Sequence, residues 1–154
     1  MKTLVIYDSQ FGNTEKIARA IGNAFGDQAK VTRPSEMQEN ELQNVELLIV
    51  GSPTQGGRAT QAVQNFLSSL PTKTLKNTKV TAFDTRFAMP DQGFFVRFLM
   101  KTLHYAAEKI ANALQAKGGI LIAKPEGFFV NGKEGPLKDG ELERAAAWAK
   151  QMNK

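Results

Sequence analysis

The sequence predicts a doubly wound α/β fold with a five-stranded parallel sheet, and three observations carry that reading. Short continuous apolar runs recur along the chain, as expected of strands buried on both faces. Each run is followed by a stretch with apolar residues three and four apart, the spacing of a helix with one buried face. Gly and Pro punctuate the junctions. Such alternation implies a parallel sheet, because a crossover helix is needed to return the chain to the same end. The 154 residues fit a single domain, residues 1–154, of a size that buries roughly 70% of its unfolded surface. No linker, repeat or low-complexity segment divides them.

Thr3-Leu4-Val5-Ile6-Tyr7 reads as a central strand. From Thr14 the period changes: Ile17, Ile21, Ala24 and Phe25 share a helix face, and Gly26 stands where such a helix stops. A short second strand spans Ala29 to Arg33, and the polar stretch from Ser35 to Asn44, offering little beyond Leu42, predicts a short second helix. Leu47-Leu48-Ile49-Val50 is the third strand, closed by Gly51-Ser52-Pro53. Thr60 is placed to cap a helix carrying Val63, Phe66, Leu67 and Leu70, which Pro71 ends. Lys79 to Asp84 is the fourth strand. A loop rich in Phe, Pro and Gly then leads to a helix with Leu99, Leu103, Ala106, Ile110 and Leu114, stopped by Gly118-Gly119. Ile120-Leu121-Ile122-Ala123 is the fifth strand, extended or resumed at Phe128-Phe129-Val130 beyond Pro125 and Gly127. A last helix runs from about Asp139, with Leu142, Ala145, Ala146, Ala149 and Met152 on one face.

Composition narrows the chemistry. The absence of cysteine excludes disulfides, thiolate metal sites and a cysteine nucleophile, and the single histidine, His104, argues against a multi-histidine metal site. The chain enters a strand at once, and no run approaches the roughly 20 apolar residues that span a bilayer. The expectation is a cytoplasmic protein without membrane insertion. A net charge of +5 raises the question of an anionic partner. The basic residues recur singly, however, rather than in clusters interleaved with aromatics, so nucleic acid is not the expected partner.

In an open α/β sheet, ligands bind beyond the carboxyl ends of the strands where the winding reverses. The loop after the first strand is Asp8-Ser9-Gln10-Phe11-Gly12-Asn13-Thr14. Gly12 stands where a side chain would obstruct close backbone approach. The hydroxyls of Ser9 and Thr14, the amide of Asn13 and the free N–H groups at the helix start can converge on one phosphate. None of these donors is charged, yet helix amides and the macrodipole favour an anion there. The plainer alternative is that Ser9 and Asn13 merely cap the helix.

The chain resembles the flavodoxin family. A hydroxyl residue, two variable positions and Gly-Asn-Thr, running Ser9, Gln10, Phe11, Gly12, Asn13, Thr14, are similar to that family's phosphate loop. The likeness continues in Glu15-Lys16-Ile17-Ala18, in Gly51-Ser52-Pro53-Thr54 and in Phe83-Asp84-Thr85-Arg86. Gly-Asn-Thr alone is a modest motif, but three loops in order at the relevant strand ends make a strong combined signal across essentially the whole chain. The resemblance implies sheet order 2-1-3-4-5 and bound FMN, flavodoxin being itself a known instance of the switch-point rule. It implies that the loop bearing Pro53, Thr54, Gln55, Gly56 and Gly57 borders one side of the isoalloxazine, and the loop bearing Asp84, Thr85, Arg86 and Phe87 the other. The paired glycines would let a backbone group turn toward the reactive nitrogen, or else form a plain turn. Arg86 would hydrogen-bond the flavin's carbonyl edge or stabilise a reduced ring, the alternative being a surface ion pair. Asp8 and Asp84, as strand-end carboxylates, more commonly cap loops.

The chain also departs from that family. Neither ring loop contains the Tyr or Trp that flavodoxins stack on the flavin, which leaves Phe87, Phe94 or Phe95 to cover it. Phe94, Phe95 and Phe98 serve equally well as core or subunit contacts, and Trp148 reads as a packing or surface residue. The positive net charge contrasts with the acidic carriers common in the family.

Two functions follow from the resemblance. The first is an electron carrier that presents its flavin edge to redox partner proteins, as a monomer or weak dimer. The alternative is an NAD(P)H-dependent quinone or flavin reductase, with a second pocket to which the loop from Phe87 to Phe98 contributes. A phosphoacceptor receiver of the same strand order would need an aspartate where this chain has Gly51-Ser52-Pro53.

Overall fold

In the computed structural model, which describes residues 1–87, 105–132 and 134–154, strands and helices alternate as their sequence periods dictate. The chain runs β1 (Thr3–Tyr7), α1 (Asn13–Phe25), β2 (Ala29–Thr32), β3 (Leu47–Pro53), α2 (Gln61–Ser69), β4 (Lys79–Phe87), α3 (Ala106–Ala116), β5 (Ile120–Leu121), β6 (Glu126–Val130) and α4 (Glu141–Met152). All strands pair in parallel in the order β2-β1-β3-β4-β5, and β6 pairs with β4 beyond β5. Lys79 and Val80 pair with Ile120 and Leu121, and Phe83 to Phe87 with Glu126 to Val130. The fifth sheet position is therefore one strand interrupted around Pro125 and resumed.

The continuous apolar runs feed two cores. Along β1 and β3, Leu4, Ile6, Leu48 and Val50 face α2 and α3, while Val5, Tyr7, Leu47 and Ile49 face α1 and α4. Helix α1 contributes Ile17, Ile21 and Phe25 to the second core, and burying each is worth roughly 2 kcal/mol. Trp148 packs there too, edge-on to Phe83 and Phe128 at centroid distances of 6.5 and 6.0 Å.

Three local expectations are corrected. No α-helix forms between Ser35 and Asn44; two 3-10 turns, Pro34–Glu36 and Glu39–Leu42, span the gap instead, because the polar stretch lacks a second apolar row to hold a helix face against the sheet. Thr60 occupies the position before α2, but its hydroxyl makes no cap bond; its backbone N–H instead donates to Ser52 Oγ at 2.9 Å. β4 continues past Asp84 to Phe87, since β6 offers those residues a ladder. The expected helical positions Leu99 and Leu103, together with His104, Phe94, Phe95 and Phe98, lie outside the described residues.

Candidate functional site

Because every strand runs the same way, the loops following β1 and β3 and the last residues of β4 lie side by side at the carboxyl edge of the sheet. They enclose a cleft of about 470 Å³, within the ~300–1,000 Å³ range of small-ligand sites. Ser9, Gln10, Phe11, Asn13 and Thr14 form one wall, Pro53, Thr54, Gln55 and Gly56 a second, and Thr85, Arg86 and Phe87 a third. Val130, from the end of β6, completes the lining and was not anticipated. Gly12, Gly57 and Asp84 do not line the cleft; they shape the segments that do.

The β1–α1 loop is held by its own backbone. Ser9 Oγ accepts the Gly12 N–H at 3.0 Å, and Gly12 takes φ +95° immediately before α1. That left-handed conformation favours glycine, and a Cβ there would meet nothing within 4 Å. The first bond of α1 runs from the Lys16 N–H to the Gly12 carbonyl, so the N–H groups of Asn13, Thr14 and Glu15 have no acceptor within the helix. The helix carries no side-chain cap, which leaves Ser9 and Asn13 free of the plain capping role. Asn13 Nδ2 donates instead to the Gly135 carbonyl at 2.6 Å, and Thr14 Oγ1 meets Thr85 Oγ1 at 2.7 Å. Outside the cleft, Asp8 accepts the Ser9 N–H and a guanidinium N–H of Arg33, which also donates to the Ser9 carbonyl.

The β3 loop is a tight reversal. Gln55 and Arg58 exchange backbone hydrogen bonds at 2.8 and 3.0 Å, and Gly56 and Gly57 both take positive φ, 56° and 78°, the signature of a type I′ turn. The Gln55 side chain donates across the cleft mouth to Gln10 Oε1 at 2.6 Å. The Thr54 hydroxyl accepts the Ala106 N–H at the start of α3.

At the β4 end, Asp84 is fully buried. Arg86 grips it with Nε to Oδ1 at 2.7 Å and Nη2 to Oδ2 at 2.8 Å, and the Ala107 N–H donates to Oδ2 at 3.0 Å. Burial pushes the Asp84 carboxyl up, against the opposing pull of Arg86. The ion pair that stood as the alternative role for Arg86 therefore forms, but it is buried rather than on the surface. Tyr105 lies against the guanidinium, 3.6 Å from ring centroid to Cζ. Arg86 also depends on Gly127, a turn residue in the sequence reading, where a Cβ would stand 2.2 Å from Arg86 Nε. Tyr105, Gly127 and Gly135 gave no signal in the sequence, because their roles come from contacts across 19 to 122 positions.

The donor set suits a phosphate joined to a planar group. Helix-start N–H groups and uncharged hydroxyls form one wall, the Gly56–Gly57 turn stands on another, and two half-exposed phenyl groups, Phe11 and Phe87, belong to the lining. Among the described residues no cluster of three His, Asp or Glu side chains could hold a metal ion, and no helix is long and apolar enough to cross a membrane.

A family model described as a flavodoxin domain matches residues 4–121. Among solved structures, the chain is similar to a flavodoxin from the domain Archaea, with 20% identity, 99% of this chain and 96% of that chain covered, and a TM-score of 0.71. It is similar to oxidised flavodoxin 2 from Bacillus cereus, with 21% identity, coverage of 97% and 95%, and a TM-score of 0.72. It also matches rubredoxin oxygen:oxidoreductase from Desulfovibrio gigas at 20% identity and a TM-score of 0.72, covering 96% of this chain but 34% of that one. At these identities the likenesses speak for the fold.

Proposed function

The chain belongs to the flavodoxin domain family, and on that premise we propose that it binds FMN in the cleft and carries electrons between redox partner proteins in the cytoplasm. The observation that carries this reading is the convergence on one cleft of the start of α1, whose first N–H groups have no acceptor within the helix, with the loop after β3 and the end of β4. Ser9, Asn13, Thr14 and the first α1 amides would hold the phosphate, the macrodipole offsetting the lack of a cation. The Thr14–Thr85 hydroxyl pair joins this end to the ring end. The Gly56–Gly57 peptide, free of Cβ atoms on both sides, can rotate to offer either its N–H or its carbonyl to the ring. Phe11 and Phe87 would exclude water from the ring's edges. Bound FMN would supply reversible one- and two-electron chemistry, which no side chain of the cleft can supply.

A reductase acting with NAD(P)H on a quinone or flavin is the second reading, favoured by the same two half-exposed phenyl groups of the lining, against which a second planar ring could rest. Sustained turnover of NAD(P)H with a quinone acceptor would select it over the carrier.

The test is a visible-absorbance titration of FMN into the parent and into an Asn13→Ala, Thr14→Ala double variant. A yellow complex in the parent, weakened on the order of 100-fold by loss of two charge-assisted donors, is the expected result. A parent that binds no FMN at micromolar concentrations overturns the reading.

A further inference from the structure

The Arg86 guanidinium is fixed on several sides. Asp84 holds two of its nitrogens at 2.7 and 2.8 Å, Tyr105 covers it at 3.6 Å, and the bare backbone of Gly127 makes room for it. The two members of the pair differ in reach. The Arg86 side chain is 14% exposed and Arg86 belongs to the cleft wall, whereas the Asp84 side chain is 0% exposed and does not. The positive member is therefore the nearer of the two to anything bound in the cleft, so the neutral pair acts as a fixed dipole with its cationic end foremost.

We infer that Arg86 raises the reduction potential of FMN bound in this cleft, with Asp84 as the positioning residue that holds the cation in place. The inference rests on the FMN reading above and goes beyond it, from binding to the direction of electron flow. Reduction adds negative charge to the ring, and a charge held in place in a poorly hydrated wall stabilises it without having to reorganise. The Asp84 carboxylate, set farther back, cancels part of that effect, because Coulomb attraction falls with distance. A cleft tuned this way accepts electrons more readily than one with neutral walls.

The experiment measures oxidised-FMN binding and the midpoint potential for the parent, Arg86→Gln, Asp84→Asn and the double variant. The shift in potential reports the change in the ratio of dissociation constants for oxidised and reduced FMN, tenfold being about 30 mV for a two-electron couple. Arg86→Gln is expected to lower the potential by about tenfold in that ratio. Asp84→Asn, which leaves the cation without its counter-charge, is expected to raise it. The double variant, a neutral amide pair, should lie between the two and slightly below the parent, and it decides the matter if Arg86→Gln does not fold. Opposite signs for the single variants are a result that a purely structural role would not give. Unchanged potentials, or single variants that move the same way, overturn the inference while leaving FMN binding intact. A parent that binds no FMN overturns both.

Discussion

The two ends of the cleft present hydrogen-bond donors by opposite means. At the β1–α1 loop the donors are backbone amides and neutral side chains from the one segment Ser9 to Glu15, aimed by the helix that follows. At the β4 end the donor is a cation held by a buried carboxylate, and its supports come from β4, the start of α3 and β6. Backbone amides at a helix start point outward through helix geometry alone. A buried charge must be satisfied by whatever neighbours the fold brings to it.

If that contrast holds, substitutions at the β4 end should cost fold stability, and those at the β1–α1 end chiefly affinity for the proposed FMN. The largest effect is expected for Asp84→Ala, which strands the Arg86 cation and the Ala107 N–H and should cost about 3–5 kcal/mol in urea unfolding of the ligand-free protein. A cost under about 1 kcal/mol would erase the contrast.

Next comes the outer support of the same end. Glu141 on α4 accepts two bonds from Arg144 and one from the Phe129 N–H of β6, and Arg144 also reaches the Gly127 carbonyl. The Arg144 guanidinium holds the Glu141 carboxyl below its ordinary range. A depressed carboxylate contributes stability that is fully present above the ordinary glutamate pKa and is lost as pH falls through the depressed value. Glu141→Gln should therefore cost about 1.5–3 kcal/mol at neutral pH, with the gap to the parent closing in acid. Parallel pH–stability curves for parent and variant would count against it. The uncharged side chains of Ser9, Asn13 and Thr14 at the β1–α1 end do not titrate and should show no such dependence.

Gly12→Ala places a Cβ on a left-handed residue with open space around it, so the expected cost is backbone strain alone, about 1–2 kcal/mol. Calorimetry would read it as a modest fall in Tm. The smallest effect on stability is expected for Asn13→Ala, which loses one bond, to Gly135, and about 1 kcal/mol. A larger loss would mean that this end, too, is assembled from tertiary partners.

The same contrast explains what could be read in advance. Strand runs such as Leu47 to Val50 and the helix face of Ile17, Ile21 and Phe25 declare themselves by periodicity, because burial selects residue type locally. The β1–α1 loop is legible for a related reason, since Gly12, Asn13 and Thr14 stand at fixed spacing along one turn. The Arg86 environment is not legible: no local pattern says that Tyr105 will lie on the guanidinium or that Gly127 is glycine to admit it. Between β2 and β3 the polar residues tolerate helix but give the sheet nothing to hold, so two 3-10 turns form where the sequence predicts a short helix.

The interruption of the fifth strand position has a consequence for self-association. A parallel sheet ends in edges whose unpaired N–H and carbonyl groups can recruit another chain. Here one edge is β2, four residues carrying the exposed Lys30, and the other is divided into the two residues of β5 and the five of β6. Between these pieces Pro125 has no N–H to offer, and Lys124 and Glu126 add charge on either side. With Ile120 half-exposed on β5, the break leaves that margin without one continuous ladder on which another chain could pair.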